Sequence, residues 1–143
     1  MAEFPTTIQE IQQGLRQGDF SSVELTKHVF ERLDKTEPQV HAFIEYEALK
    51  SSALEAAQAA DARGYGEDAP LLNGVPLAIK DNIHVEGFKM TAGSQMLENF
   101  TSTFDATPVT KLKEAGAVLV GKTNMDEFAM GATTETSYFG KTF

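Results

Sequence analysis

The stretch LNGVPLAIKDN, residues 72–82, decides the fold class of this chain. Asn73-Gly74 is a turn signal, and the apolar run after it predicts a strand. Because this run has little polar alternation, it is typical of a strand covered on both faces, in the parallel or mixed sheet of an α/β protein. The run ends on Lys80, and lysine is rarely buried without a partner.

Two helices are predicted before this strand. Apolar residues at helical spacing predict an amphipathic helix over residues 6–17, capped by Thr6 or Thr7. The capping box SSVE, residues 21–24, predicts a second helix, and we expect it to stop near Thr36 because Pro38 follows.

The remaining segments continue the alternation. HAFIEY (41–46) predicts a strand, and the alanine-rich segment 48–64 predicts a helix closed by its final glycine. Residues 81–105 are expected to form a long irregular connection, a kind that is usually functional. Thr107 is expected to cap a helix with Pro108 at its first position, and AVLVG (117–121) predicts a second buried strand. The order predicts an α/β fold, with N-terminal helices and part of a mixed β-sheet flanked by helices.

Composition excludes several function classes. The chain has 143 residues, a net charge of −9 and no cysteine. An acidic surface disfavours nucleic-acid binding by this chain itself, and the lack of cysteine excludes disulfides and thiolate chemistry. The N-terminal stretch resembles neither a signal peptide nor a membrane span, so we expect a soluble, cytoplasmic protein with no membrane partner.

Residues 116–123, GAVLVGKT, match the phosphate-loop pattern, but their context argues against that function. A phosphate loop follows a strand and precedes a helix, whereas here a helix comes first. Ala, Val, Leu and Val between the two glycines suit an extended strand. No metal site is expected either, because His28, His41 and His84 lack ligand spacing.

An acidic pair and a lysine remain as candidate site residues. Asp126 and Glu127 follow the second buried strand, and they are either acids at a helix N-terminus or a functional acidic pair. Lys80 is a solvated strand end, a partner of Asp81, or a general base. The last role requires an apolar setting that lowers its pKa, so that a neutral amine can activate a serine.

Three blocks of this sequence resemble the amidase signature family: GVPLAIKDN, TAGS (91–94) and AGAVLVGKTNMDEFAMGATTETSYFG (115–140). NMDEFAMG is most similar to the tRNA-dependent amidotransferase branch of that family. The similarity runs over nearly the whole chain and is weaker over residues 1–70.

The resemblance implies a single, C-terminally truncated amidase domain fragment with an incomplete amidase signature fold. Residues 1–70 would be its mainly helical N-terminal part and residues 71–143 the start of the core. Lys80 matches the family's catalytic lysine, the general base of a Ser-cisSer-Lys triad. No Gly-Ser-rich segment for the two serines is present in these 143 residues. None of the serines present is assigned as nucleophile: Ser21, Ser22, Ser51, Ser52, Ser94, Ser102 and Ser137.

The resemblance also implies a reaction and partners. The complete protein would hydrolyse glutamine and pass ammonia to a B subunit, which would use ATP and Mg to amidate Glu-tRNA(Gln) or Asp-tRNA(Asn) in a C–N ligase complex. A small C subunit would clasp the pair, and tRNA would bind only through the partner. This chain would hold no cofactor of its own and would be inactive alone. Asp126 and Glu127 would line the pocket or the ammonia path.

Two alternatives stay open. The chain could be a fragment of a free-standing amidase that acts on other small amides, although NMDEFAMG argues against this. It could also be a non-catalytic truncated module, which the missing serine segment favours. Co-purification with a B subunit would separate these alternatives from an amidotransferase subunit.

Overall fold

A three-stranded mixed sheet organises the chain, which we describe from a computed structural model over residues 5–143. Its strands are β1 (Phe43–Glu45), β2 (Pro76–Lys80) and β3 (Val118–Thr123), in the spatial order β1-β3-β2. β3 is parallel to β2 and antiparallel to β1. The mixed sheet and the α/β class predicted from the sequence are confirmed. The first four residues, which belong to the stretch judged unlike a signal peptide, lie outside the described residues.

Within residues 5–143, four helices and three short 3-10 turns surround the sheet. The helices are α1 (Ile8–Gln17), α2 (Ser22–Val40), α3 (Lys50–Arg63) and α4 (Thr107–Glu114). The 3-10 turns are Glu47–Leu49, Gln95–Leu97 and Glu127–Ala129. None of the helices within residues 5–143 has the length and apolar character that a membrane span requires.

The predicted cap of the first helix is Thr7, and the capping box predicted at the second helix is confirmed; the first helix has a capping box as well. Thr7 accepts from the Glu10 amide and Ser21 from the Glu24 amide, while each glutamate reaches back to its cap. The expected end of α2 near Thr36 is wrong, because the helix continues through Pro38 to Val40. Proline removes one amide donor but lies here in the last turn, where the chain is about to leave the helix.

The core lies on both faces of β3. Val118 and Val120 pack against buried side chains of α2 and α3: Phe30, Ala53 and Ala57. Leu119 packs on the opposite face with four other buried side chains: Leu49, Ile79, Val85 and Val109. All of β3 from Val118 to Lys122 is buried. The strand predicted from AVLVG is therefore covered on both faces, as expected.

β2 is less covered than its composition predicts. Ile79 is buried, but Ala78 is exposed, because β2 is an edge strand with β3 on one side. The Asn73-Gly74 turn before it is confirmed. The Asn73 amide group donates to the Ala60 and Gly64 carbonyl oxygens, and this attaches the start of β2 to the end of α3.

The segment that resembles a phosphate loop forms a turn and a strand. Gly116 has φ +84°, and an added Cβ would lie 2.8 Å from the Asn73 Cα. Residues 118–123 are extended, so their amide groups take part in strand hydrogen bonding and do not surround an anion. At α4 the cap is Ala106 and not Thr107, which makes Pro108 the second helical residue.

Gly121 allows β1 to approach β3 closely, and this generates a stability prediction. A Cβ at this position would lie 2.5 Å from the Phe43 ring. We expect Gly121→Ala to lower the free energy of unfolding by about 1–3 kcal/mol, because the ring must move. Denaturant titration measures the change. Gly66→Ala is the control, since its surroundings are open; equal effects of the two substitutions would contradict the prediction.

Candidate active site

Lys80 lies at the carboxyl end of β2, where the three motif blocks meet. In the parallel pairing it is opposite Thr123, the last residue of β3, and the next amide, Asp81 N, donates to the Thr123 carbonyl oxygen at 3.1 Å. The parallel arrangement brings the segment after β2 and the segment after β3 to one edge of the sheet. Ligand sites of open α/β sheets lie at such edges.

The Lys80 side chain is exposed, and no hydrogen bond or ion pair of its ammonium group is found within residues 5–143. The apolar setting expected of a base is therefore not provided by these residues. Ile79 and Asp81 are buried on either side of it in sequence, because neighbouring strand residues point to opposite faces. Lys80 therefore does not pair with Asp81, one of the three roles considered above.

Asp81 pairs instead with Lys122, and the side chains of both are fully buried. The Lys122 Nζ lies 3.3 Å from Asp81 Oδ1 and donates to the carbonyl oxygens of Ile83 (2.9 Å) and Lys89 (3.1 Å). Burial lowers the pKa of Lys122, and the Asp81 carboxylate acts in the opposite direction. Sequence reasoning missed this residue, because it appeared only as the lysine of a rejected phosphate loop.

The other Asp81 oxygen holds the TAGS block. Asp81 Oδ2 accepts from the Thr91 amide at 2.8 Å and from the Thr91 hydroxyl. The Thr91 hydroxyl oxygen in turn accepts from the Gly93 amide at 3.2 Å. Gly93 has φ +69°, and a Cβ there would lie 2.6 Å from the Met125 carbonyl oxygen, so the close approach of the two blocks requires glycine.

The TAGS block is bonded directly to the segment that follows β3. Ser94 Oγ donates to Glu127 Oε1 at 2.6 Å, and the Phe128 amide donates to the Ala92 carbonyl oxygen at 2.8 Å. Ala92, Phe128 and Ala129 all have positive φ, of 50°, 52° and 61°. Non-glycine residues with such φ angles concentrate at functional sites, and here they flank a single contact.

Asp126 organises the loop after the 3-10 turn. Its carboxylate accepts from the amides of Thr133 (3.0 Å), Thr134 (2.9 Å) and Thr136 (3.2 Å) and from the Thr136 hydroxyl (2.8 Å). Hydrogen bonds to the charged form, with that of the Thr134 amide foremost, lower the pKa of Asp126. Asp126 and Glu127 are therefore engaged in different contacts, and no α-helix starts at them.

A serine-histidine contact also occurs, which sequence spacing could not reveal. His84 Nδ1 lies 3.0 Å from Ser102 Oγ, and the ring stacks on Phe104 with centroids 4.4 Å apart. Ser102 is only 2% exposed, so its hydroxyl cannot reach a substrate carbonyl. Among residues 5–143, no group of three or more His, Cys, Asp or Glu side chains could hold a metal ion.

An apolar groove beside the sheet is separate from this site. It has a volume of about 220 Å³ and lies between α3, α4 and the start of the 81–105 connection. Its apolar lining includes Leu49, Val85, Phe88 and Leu119. Neither Lys80 nor the residues around Asp126 line it, so it has no part in the candidate site.

Comparison with known proteins identifies the family. The sequence profile described as Amidase matches residues 24–143. The chain belongs to the amidase family. The A subunit of the glutamyl-tRNA(Gln) amidotransferase of Desulfatibacillum aliphaticivorans is 52% identical over 143 residues, which is 99% of this chain and 29% of that relative. The chain thus spans less than a third of the curated relative's length.

Solved amidase-family structures share the fold. The A subunit of the glutamyl-tRNA(Gln) amidotransferase of Thermotoga maritima has a TM-score of 0.68 at 36% identity, over 99% of this chain and 28% of that one. The native peptide amidase of Stenotrophomonas maltophilia has a TM-score of 0.81 at 33% identity, over 98% of this chain and 30% of that one. The family resemblance proposed from the sequence motifs is therefore confirmed.

The low pKa of Asp126 predicts how the loop responds to acid. Because the folded-state pKa lies below the unfolded one, its contribution to stability is complete above the ordinary value of about 3.9 and is lost as the pH falls through the folded pKa. We therefore expect Asp126→Asn to lower Tm at neutral pH, and the difference from the unsubstituted protein to shrink below about pH 4.

Thermal melts between neutral and acidic pH measure this difference. Asp68→Asn, at an exposed loop position, is the matched control and should leave Tm unchanged. A Tm difference for Asp126→Asn that stays constant down to acidic pH would contradict this assignment.

Proposed function

We propose that the protein containing this chain is the glutamine-hydrolysing subunit of an aspartyl/glutamyl-tRNA amidotransferase. The observation that carries the proposal is the 52% identity, over 99% of the chain, to a relative named as the A subunit of glutamyl-tRNA(Gln) amidotransferase. The convergence of the Lys80, TAGS and NMDEFAMG blocks at one edge of the sheet supports it, because a catalytic constellation needs parts from different segments held together.

In this proposal Lys80 is the general base. As a free amine it accepts a proton from a first serine, which accepts the proton of a second serine. The second serine attacks the side-chain amide carbon of glutamine, the C–N bond breaks, and ammonia leaves with a proton returned through the relay. Water then hydrolyses the acyl ester to glutamate. Both serines belong to the family's Gly-Ser-rich segment, which these 143 residues do not contain.

The exposure of Lys80 fits a base whose two serines lie on another segment of the protein. A base that acts on serines from another segment must be open on the side where that segment packs, and Lys80 is exposed at the end of an edge strand. In this proposal residues 1–143 are one part of an amidase domain, with a mainly helical portion to residue 70 and the start of the core after it. Packing of the other parts would bury Lys80 and favour its neutral form.

The ammonia product is used by a partner in this proposal. A B subunit with ATP and Mg activates the Glu or Asp on a mischarged tRNA, ammonia replaces the activated oxygen, and a C subunit clasps the pair. The net charge of −9 fits a chain that leaves tRNA to its partner. The complex would work in the cytoplasm.

Asp126 and Glu127 enter the proposal as residues that shape the pocket or line the ammonia path. Asp126 acts through the loop of residues 131–137, and the half-buried Glu127 lies beside the TAGS block through Ser94. Glu127→Gln in the assembled complex should uncouple glutamine hydrolysis from tRNA amidation. An unchanged ratio of the two rates would remove Glu127 from this role.

Replacement of Lys80 tests the catalytic assignment. In the full-length protein assembled with its partners, Lys80→Met should lower kcat for glutamine hydrolysis by about 10³-fold or more, because members of a relay act as a unit. Lys111→Met is the matched control, at an exposed lysine on α4. Release of glutamate and ammonia from glutamine is the readout.

The outcomes separate the candidate functions. Undiminished hydrolysis by Lys80→Met would overturn the assignment of the base. Hydrolysis of other small amides by the full-length protein without partners, with no amidation of tRNA, would favour a free-standing amidase. The 143-residue chain alone serves as the blank and should show no turnover, because it lacks the two serines.

A further inference from the structure

Lys122 is a fully buried lysine that the proposed reaction does not use. Its ammonium group contacts three oxygens, on Asp81, Ile83 and Lys89. All three belong to the connection that begins directly after Lys80. Burying an ammonium group is costly, and an apolar side chain of similar volume usually stabilises a core as well or better. General stability therefore gives a weak reason for a lysine here.

The contacts instead fix the path of one segment. Lys122 holds two carbonyl oxygens six residues apart, and through Asp81 it also holds Thr91 at the TAGS block. The backbone around Lys80 is fixed by the same elements, since Asp81 N donates to the Thr123 carbonyl and Ile83 N to the Lys80 carbonyl. A single side chain on β3 thus connects the strand end that presents Lys80 with the loop that lies beside it.

We propose that Lys122 is a positioning residue for Lys80, and that it acts through the buried Lys122–Asp81–Thr91 network. Its side chain is 0% exposed, so it does not touch substrate itself. The network holds Lys80 and residues 91–94 in a fixed relation while the Lys80 amine stays open to the serines. This inference rests on the proposed function, in which Lys80 is the base.

The first test is Lys122→Met in the full-length protein assembled with its partners, with kcat, KM and Tm measured for each variant. A displaced base affects the transition state more than substrate binding, so kcat for glutamine hydrolysis should fall by about 10²-fold with little change in KM. Tm should fall as well, because Asp81 is left buried and unpaired. Lys113→Met is the matched control: it removes a more exposed ion pair with Asp105 and should change neither kcat nor Tm appreciably.

A double replacement separates positioning from stability. Asp81→Leu combined with Lys122→Met makes the buried pair apolar, which should recover Tm, since neither charge remains buried without a partner. The proposal expects kcat to stay low in this variant, because the contacts to Ile83, Lys89 and Thr91 are still missing. Recovery of kcat together with Tm would overturn it.

Thr91→Val decides the matter if the Lys122 variants fail to fold. This change removes one hydroxyl from the network and keeps the side-chain volume, and we expect kcat to fall by about tenfold with KM unchanged. A kcat within about twofold of the unsubstituted protein would overturn the proposal. The Lys80→Met variant distinguishes the two proposals. If this variant is active, the assignment of Lys80 as the base fails. If it is inactive while the Asp81→Leu/Lys122→Met double variant is fully active, only the role of Lys122 fails.

Discussion

The buried ion pair between Lys122 and Asp81 is the interaction on which the arrangement of the motif blocks depends. Neither charge can be left in the core alone, so each determines where the other's segment must lie. Lys122 is fixed by β3, the central strand, and Asp81 by the end of β2. The long connection between residues 81 and 105 has little regular structure of its own, and it takes its path from these contacts.

The pair also explains how two adjacent residues, Lys80 and Asp81, have different environments. Strand alternation sends Asp81 inward to Lys122 and leaves Lys80 outward. Because the Asp81 carboxylate is paired with Lys122, it does not bind the Lys80 ammonium group. The Lys80 side chain is therefore free to contact another segment. The inward residue forms a buried ion pair, and the outward residue is the base in the proposed function.

Local signals in the sequence predicted most of the fold. The helix caps, the Asn73-Gly74 turn and the apolar run of β3 each depend on a few neighbouring residues, and all three are confirmed. The predicted end of α2 near Thr36 was wrong because the rule that a helix stops before proline was applied to Pro38. This proline lies inside the last turn of the helix, which ends only two residues later. The coverage of β2 was overestimated because its place at the sheet edge depends on the whole topology.

The site was only partly predictable for the same reason. Motif similarity singled out Lys80, Asp126 and Glu127, but the partners of Asp126 and Glu127 depend on contacts between distant segments. The contact of Lys122 with Ile83 joins residues 39 positions apart, and no spacing rule encodes it. The phosphate-loop pattern includes Lys122, but it gives no sign of the buried contacts that this lysine makes.

Amide hydrogen exchange at Thr91 tests the central claim most directly. Thr91 lies in an irregular segment, yet its amide donates to the fully buried Asp81 carboxylate. In the full-length protein this amide should exchange as slowly as those of β3, and Lys122→Met should release it while the β3 amides stay protected. Rapid exchange at Thr91 in the unsubstituted protein, or unchanged protection in the variant, would contradict the account.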